Sequence, residues 1–294
     1  RNEVHDLVGE YGHVIVDECH HIPAVSFEQV MQKVRAKYIT GLTATPHRRD
    51  GHHPILRFQL GPVRYSIDPK SQATERSFEY RLVPRETAFK LDSQSADIGI
   101  QEIYRQLSLD ETRNDLILDD VISALDEGRS PILLTERRDH LELLAERLRG
   151  FAKNLIVLRG GMGKKQQRAT TVQLTSIPDD EERLILATGR FIGEGFDDAR
   201  LDTLFLAMPV AWRGTLVQYA GRLHRKHGLK KEVRIMDYVD RNVPMLNRMF
   251  NKRMRGYRAM GYSLGDSSEM DTYIDENRHI VRDKKEIGMD DGLF

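Results

Sequence analysis

Two adjacent carboxylates, Asp17 and Glu18, close the short apolar run His13-Val14-Ile15-Val16, and Cys19-His20 follow directly. A β-branched run bounded by charge reads as a buried strand of a parallel sheet. Ligands of open α/β sheets bind just beyond the carboxyl ends of such strands. Acids placed there can serve nucleotide hydrolysis, with Asp17 holding Mg²⁺ and Glu18 orienting or deprotonating the attacking water. A strand that simply ends in solvated acids fits these four residues as well. Far downstream, Gln218-Tyr219-Ala220-Gly221-Arg222-Leu223-His224-Arg225 sets Arg222 and Arg225 three apart, on one side of a helix, with Gln218 one turn earlier. Guanidinium forks suit the equatorial oxygens of a transferring phosphoryl group; a basic surface helix is the plainer reading. Acids in one half and arginines in the other point to an ATP site split between two domains.

Other residues fit around this pair. Thr43 and Thr45, in Thr-Ala-Thr-Pro, end a second short strand and could hydrogen-bond across to His20 or Asp17, though the tetrapeptide is also an ordinary strand-to-turn sequence. In the loop Thr188 to Asp197, three glycines (Gly189, Gly193 and Gly195) allow backbone amides to face a ligand. Asp197 could accept from a ribose hydroxyl or an arginine; a glycine-rich turn is the alternative. His20, His21, His47, His52 and His53 come with no cysteine pair and match no common zinc spacing, so a polar loop is expected there. Trp212 and Tyr219 could stack on bases or pack the helix that carries Tyr219.

The elements that must position these residues alternate regularly in the second half. Helix 115–126, strand 131–135, helix 139–149, strand 155–159, helix 164–174, strand 183–188, strand 203–208, helix 214–224 and strand 233–238 are expected. Strands alternating with helices imply right-handed crossovers and a parallel sheet covered on both faces. Ahead of them, residues 57–91 show two extended segments, 63–67 and 78–83, read as an edge or connector. A helix near 98–107 leads into the alternation.

The 294 residues allow two modest domains, and 39% apolar with 31% charged residues fits a globular chain with a real core. No apolar stretch approaches the roughly 20 residues of a membrane helix, and a single cysteine, Cys19, fits a reducing, cytoplasmic setting. Formal net charge is zero, but its distribution is uneven. Arg248 to Arg258 reads RMFNKRMRGYR without an acid, whereas acids dominate from Gly265 onward. Such blocks can set a basic groove beside an acidic tail; a solvated helix face and a frayed terminus are the alternative. Because the chain opens on Arg1 and its first strand already carries the acid pair, a longer parent is expected.

Asp-Glu-Cys-His, Thr-Ala-Thr-Pro, Thr188 through Asp197 and Gln-x-x-Gly-Arg-x-x-Arg stand in the order of motifs II, III, V and VI of superfamily 2 helicases. The chain resembles their DExH branch, which includes the DNA-opening helicase of the TFIIH complex and the translocating subunits of restriction systems. Gly41 to Pro46, Arg48-Arg49-Asp50-Gly51 and Gly61-Pro62 are close to that branch, and the likeness runs from about Val14 to Tyr238. It implies an α/β fold of two RecA-like parallel-sheet lobes, the first truncated at its N-terminus, plus a helical C-terminal tail. The expected division is lobe 1 over 1–90, a linker over 91–112, lobe 2 over 113–242, and a basic helix with an acidic tail over 243–294. It implies ATP and Mg²⁺ as cofactors and nucleic acid, DNA before RNA, as partner, with a nuclease partner or domain possible in a restriction setting.

Carried over position by position, the likeness assigns Asp17 and Glu18 to Mg²⁺ and water, Arg222 and Arg225 as arginine fingers, and Gly195, Asp197 and Gln218 to the nucleotide. It assigns His20, Thr43 and Thr45 to coupling, and Thr135, Arg159, Gly160, Gly161 and Thr188 to the nucleic-acid track. One departure stands out: the phosphate-binding pattern G-x-x-x-x-G-K-[ST] is not in these 294 residues. Gly160-Gly161-Met162-Gly163-Lys164-Lys165 lacks the first glycine at that spacing and has lysine where the hydroxyl belongs. The expectation is a missing N-terminal segment of lobe 1, and no ATP hydrolysis by this chain alone.

Overall fold

A computed structural model describes residues 6–19, 25–43, 53–66, 78–91, 98–189, 198–210, 213–228 and 230–265. The chain divides into two compact units, Arg1–Asp68 and Pro69–Phe294.

In the first unit a 3₁₀ turn (Asp6–Glu10) precedes β1 (His13–Val16), α1 (Val25–Lys33), β2 (Tyr38–Gly41) and α2 (His53–Leu60). β1 and β2 run parallel, with His13 opposite Tyr38 and Val16 opposite Gly41. Val16 and Cys19 are buried, with Val14, Met31 and Leu60 against them. Gly41 is small for a reason: a β-carbon there would press on Leu60 and stand 3.0 Å from the Cys19 sulfur. Ile15, Tyr38 and Leu42 stay largely exposed. The helix α2 is unforeseen, and residues 63–66 form no strand.

The second unit contains β3 (Glu79–Glu86), α3 (Ile100–Leu109), α4 (Glu111–Asp126), β4 (Pro131–Thr135), α5 (Arg138–Arg147), β5 (Leu155–Leu158), α6 (Lys164–Ser176), β6 (Leu184–Thr188), β7 (Thr203–Leu206), α7 (Arg213–Leu223), β8 (Glu232–Val239), α8 (Pro244–Ala259) and β9 (Ser263–Leu264). The strands form one seven-stranded sheet in the order β5-β6-β4-β7-β8-β3-β9, and every pairing is parallel. This is the parallel α/β architecture that the alternation implied and the RecA-like one that the resemblance implied. The central strands are buried along their length because helices cover both faces, so they read as continuous apolar runs. Alternate residues serve opposite layers. Ile132, Leu134, Ile185, Leu204 and Ile235 face a layer with Leu216, Tyr219, Leu223 and Tyr257 of α7 and α8. Leu133, Leu186, Phe205 and Met236 face Ile117, Val121, Leu141 and Leu144 of α4 and α5. The Asp110 carboxylate accepts the Arg113 amide at 2.7 Å, capping α4.

The expected division needs correction in three places. β3 is no connector: it pairs with β8 over its whole length, Glu79 opposite Glu232 to Glu86 opposite Val239. The division therefore falls after Asp68 rather than at 90. α3, expected in a linker, buries Ile103 and Leu107 beside Phe89 and Leu246. α8, expected to begin a peripheral tail, buries Leu246, Met249, Phe250 and Tyr257. Pro84 sits inside β3 without harm. The Leu82 carbonyl accepts from the Gly265 amide at 2.7 Å on the β9 side. Residue 84 faces that same side, past the end of β9, so its missing donor breaks no ladder bond among the described residues.

Among the described residues no helix is long and apolar enough to cross a membrane. Because among the described residues β1 and β2 pair only with each other, over a small core, their amides should exchange with deuterium well before those of β4, β6 and β7. Equal protection in the two units would contradict this.

Candidate functional site

The acids occupy a turn held at both ends. The Leu42 amide donates to the Val16 carbonyl at 2.9 Å, and the Cys19 amide donates to the Leu42 carbonyl at 2.9 Å. Asp17 and Glu18 form the tip between those two bonds, so the carboxyl ends of β1 and β2 are locked together with Thr43 next in line. Asp17 is exposed, and its Oδ1 accepts the Glu18 amide at 2.8 Å. Glu18 holds a φ of 47°, a left-handed conformation costing an ordinary residue about 1–2 kcal/mol. Such strain is kept where surrounding bonds over-determine it, as these do. Burial pushes the Cys19 thiol up, with Glu18 and Asp17 adding to the effect; it packs rather than reacts. Asp17 fits Mg²⁺ in donor type, as an exposed hard-oxygen carboxylate with lone pairs beyond the one taken by Glu18. Among the described residues no cluster of three metal-ligating side chains occurs.

In the second unit the carboxyl ends of β4, β5 and β6 gather the nucleic-acid candidates. The Gly160 amide donates to the Thr188 hydroxyl at 3.2 Å, joining the turns after β5 and β6. Gly160 and Gly161 are exposed, and Gly161 needs its freedom at a φ of 83°. Arg159 is held by Glu142 at 2.9 Å. Thr135 departs from expectation. It is 1% exposed, and its hydroxyl meets His140 Nδ1 at 3.0 Å while accepting the Arg137 amide at 3.3 Å. Its hydroxyl is thus engaged within the protein, where it helps position the start of α5.

The imidazole of His140 can be assigned from this network. Asn114 Nδ2 donates to the Ser108 carbonyl at 3.0 Å, which leaves Asn114 Oδ1 to accept from His140 Nε2 at 2.9 Å. Nδ1 then accepts from Thr135. Burial, helped by the nearby Arg113 charge, pushes the ring down to about 3, so it is neutral at ordinary pH.

α7 carries Gln218 and Arg222, but it ends at Leu223. Arg225 is therefore not on the helical face with Arg222; it lies in the turn beyond. That turn is held from behind. Lys230 Nζ donates to the Leu223 carbonyl at 2.8 Å and to the Arg225 carbonyl at 2.9 Å, a lysine capping a helix C-terminus. Desolvation lowers Lys230 to about 8. His224 stacks on Tyr80 with centroids 4.4 Å apart and meets the Tyr262 hydroxyl at 2.9 Å. Arg225 itself is exposed.

Sequence reasoning missed a cluster beside Thr188. Gly189 is buried, and a β-carbon on it would overlap the Tyr219 hydroxyl and stand 2.6 Å from Glu136 Oε1. The Tyr219 hydroxyl donates to Glu136 Oε1 at 3.4 Å, and desolvation pushes the Glu136 carboxyl up although the residue is exposed overall. Tyr219 is 4% exposed and packs; it stacks on nothing outside. The glycine after strand β6 was the available signal. Gly195, Asp197, His20 and Thr45 lie outside the described residues, as do Trp212, His21, His47 and His52.

Residues 1–48 match the family described as type III restriction enzyme, res subunit. Over 267 residues the chain is 24% identical to the putative ATP-dependent RNA helicase L396 of Acanthamoeba polyphaga mimivirus, covering 88% of this chain and 49% of that protein. It is 26% identical over 261 residues to the putative helicase 161L of Invertebrate iridescent virus 6, covering 85% and 56%. The chain thus spans about half the length of these curated relatives. In fold it matches a fragment of a putative HsdR subunit of a type I restriction enzyme from Vibrio vulnificus YJ016, with a TM-score of 0.60 at 18% identity over 87% of this chain and 47% of that one.

Gly189→Ala should lower stability by about 1–3 kcal/mol, because the methyl displaces a packed ring; adding Tyr219→Phe, which removes the clashing oxygen, should restore part of the loss in urea titrations. An unchanged midpoint for Gly189→Ala would remove this packing account. His140 titrates near 6.5 when unfolded and near 3 when folded, so the unfolded chain binds the extra proton between those values. Stability should fall as pH drops from about 6.5 toward 3, and His140→Gln should flatten that slope in melting curves. An equally steep slope in the variant would place the acid sensitivity elsewhere.

Proposed function

We propose that the chain is of the superfamily 2 helicase and translocase type and that it supplies the acid turn, the arginine turn and the nucleic-acid track of an ATP-dependent DNA translocase or helicase. The observation that carries this reading is positional. Asp17, Glu18, Thr43, Arg159, Gly160, Gly161 and Thr188 all lie at or just past the carboxyl end of a parallel strand, where open α/β sheets bind ligands. Their order along the chain is that of the family's motifs.

In this reading Mg²⁺, held through Asp17, would neutralise charge on the β- and γ-phosphates. Glu18 orients or deprotonates the attacking water. Arg222 and Arg225 stabilise the charge that develops on the transferring phosphoryl group. Gln218, Gly195 and Asp197 contact the nucleotide, and His20, Thr43 and Thr45 pass its state to the nucleic-acid track. Backbone amides of Gly160 and Gly161 and the Thr188 hydroxyl grip phosphates without reading sequence. ATP binding draws the two units together and hydrolysis releases them, giving movement on or opening of the strand. DNA is placed before RNA because Gly41 to Pro46 followed by Arg48-Arg49-Asp50-Gly51 resembles the branch that includes a DNA-opening helicase and restriction translocases. Lacking G-x-x-x-x-G-K-[ST], the 294-residue chain alone binds nucleic acid but does not turn over ATP. A translocating subunit of a restriction or defence system is the second reading, favoured by the match of residues 1–48.

Phosphate release from this chain with duplex or single-stranded DNA should not exceed background; DNA-stimulated release would contradict the inactivity. In a longer protein that includes the phosphate-binding loop, Arg225→Ala should lower DNA-stimulated ATP hydrolysis by on the order of 10³-fold while ATP still binds. An unaltered rate would remove the finger assignment.

A further inference from the structure

α8 has two opposite faces. One is buried through Leu246, Met249, Phe250, Arg253, Gly256 and Tyr257. The other exposes Arg248, Lys252, Arg255 and Arg258. Their spacing of four, three and three keeps them along one side of the helix, over roughly 15 Å at the usual rise. From Pro244 to Leu264 there is no acid at all.

This stripe differs from four other exposed arginines of the unit, each of which has an acidic partner. Arg105 pairs with Glu102 at 2.7 Å, Arg138 with Glu142 at 3.1 Å, Arg149 with Glu146 at 2.8 Å and Arg241 with Glu86 at 2.6 Å. Among the described residues, no ion pair or hydrogen bond engages the side chains of Arg248, Lys252, Arg255 or Arg258. Like charges at i,i+3 and i,i+4 oppose helix formation, so the sequence tolerates a local penalty that paired acids would relieve. The fold offsets it from the buried side, where Arg253 and Tyr257 are bonded to Asp237. A rigid, acid-free row of cations is complementary to a row of phosphates.

The face also indicates which nucleic acid it suits. Proteins that grip single strands interleave cations with aromatic rings on which bases stack. The two aromatics of α8, Phe250 and Tyr257, are 5% and 0% exposed and point inward. We propose that the outer stripe of α8 is a docking surface for the phosphate backbone of duplex DNA, separate from the turns after β5 and β6. This rests on the nucleic-acid reading above and adds a second point of attachment to it.

Fluorescence anisotropy of a labelled duplex of arbitrary sequence with the full 294-residue chain, across a salt series, tests it. The triple variant Arg248→Gln, Lys252→Gln, Arg255→Gln should bind at least about tenfold more weakly at low salt, and its slope of log affinity against log salt should shrink by roughly 2–3. Arg255→Gln alone should shrink it by about 1. The paired arginines serve as control: Arg138→Gln with Arg149→Gln should leave the slope unchanged. Equal slopes for wild type and triple variant would overturn the proposal. So would an equal loss for a single strand of the same sequence, or a loss of polyglutamate binding with duplex binding intact. If the unaltered chain binds no nucleic acid whatever, it is the parent reading that fails.

Discussion

One buried carboxylate sets the geometry of the side of the sheet that carries α7 and α8. Asp237, in β8, is 1% exposed and accepts from Arg253 Nε at 2.7 Å, Arg253 Nη2 at 2.8 Å and the Tyr257 hydroxyl at 2.8 Å. Arg253 Nη1 donates onward to the Val210 carbonyl at 3.3 Å, just before the chain enters α7. The same interaction thus seats α8 on β8 and fixes the approach to the helix bearing Gln218 and Arg222. Gly256 lets the two helices close: a β-carbon there would come within 3.2 Å of Leu216. A buried pair of this kind adds little compared with apolar packing, yet leaving one partner alone costs about 3–5 kcal/mol. Its value is in specifying one arrangement.

A second buried network works the same way on the neighbouring strands. Arg113, at the start of α4, bonds to Asp240 at 2.9 Å and to the Ala207 carbonyl at 2.7 Å, and the Thr87 hydroxyl donates to Asp240 at 2.6 Å. One guanidinium therefore joins α4 to the segments that follow β3, β7 and β8. Both networks sit at the carboxyl ends of strands, where the apolar layers give way to loops. Buried polar groups are mostly hydrogen-bonded; here Arg113 Nη2 and Asp240 Oδ2 lack a partner among the described residues, while the bonds that are made tie down the segments after β3, β7 and β8.

The interior of the large sheet was legible because its signal is local. Pro131–Thr135 is an uninterrupted apolar strand bounded by turns, and the structure places β4 over those same residues. β3 was not legible for the opposite reason. Its partner β8 lies far along the chain, and Pro84 demotes it on local criteria, although the proline faces the β9 side past the end of that two-residue strand. α8 misled in another way: its outer cations dominate the composition, while Phe250 and Tyr257, spaced for one face, show it to be a core helix. Asp17, Glu18, Gly160 and Thr188 lie at or just past the carboxyl ends of strands, where the apolar runs before them end. The burial of Thr135 was not legible, because a threonine at a strand end looks the same whether its hydroxyl meets solvent or a buried histidine. The cluster of Gly189, Tyr219 and Glu136 needs three distant segments to meet, which no spacing rule encodes.

The turn after α7 shows how such a scaffold can serve chemistry. A guanidinium that must meet charge developing on a phosphoryl group is useful only if its backbone does not have to be ordered at that moment, since ordering a side chain and its turn costs free energy that binding must supply. Here the backbone at Arg225 is held through its own carbonyl by Lys230, and the preceding residue, His224, stacks on Tyr80 and hydrogen-bonds the Tyr262 hydroxyl. Tyr80 belongs to β3, and Tyr262 stands between α8 and β9. The exposed arginine is thereby supported by elements that the sequence pattern left outside the second lobe. Their inclusion in the unit brings Tyr80 and Tyr262 against His224, so the turn that carries Arg225 is braced by elements far from it in sequence.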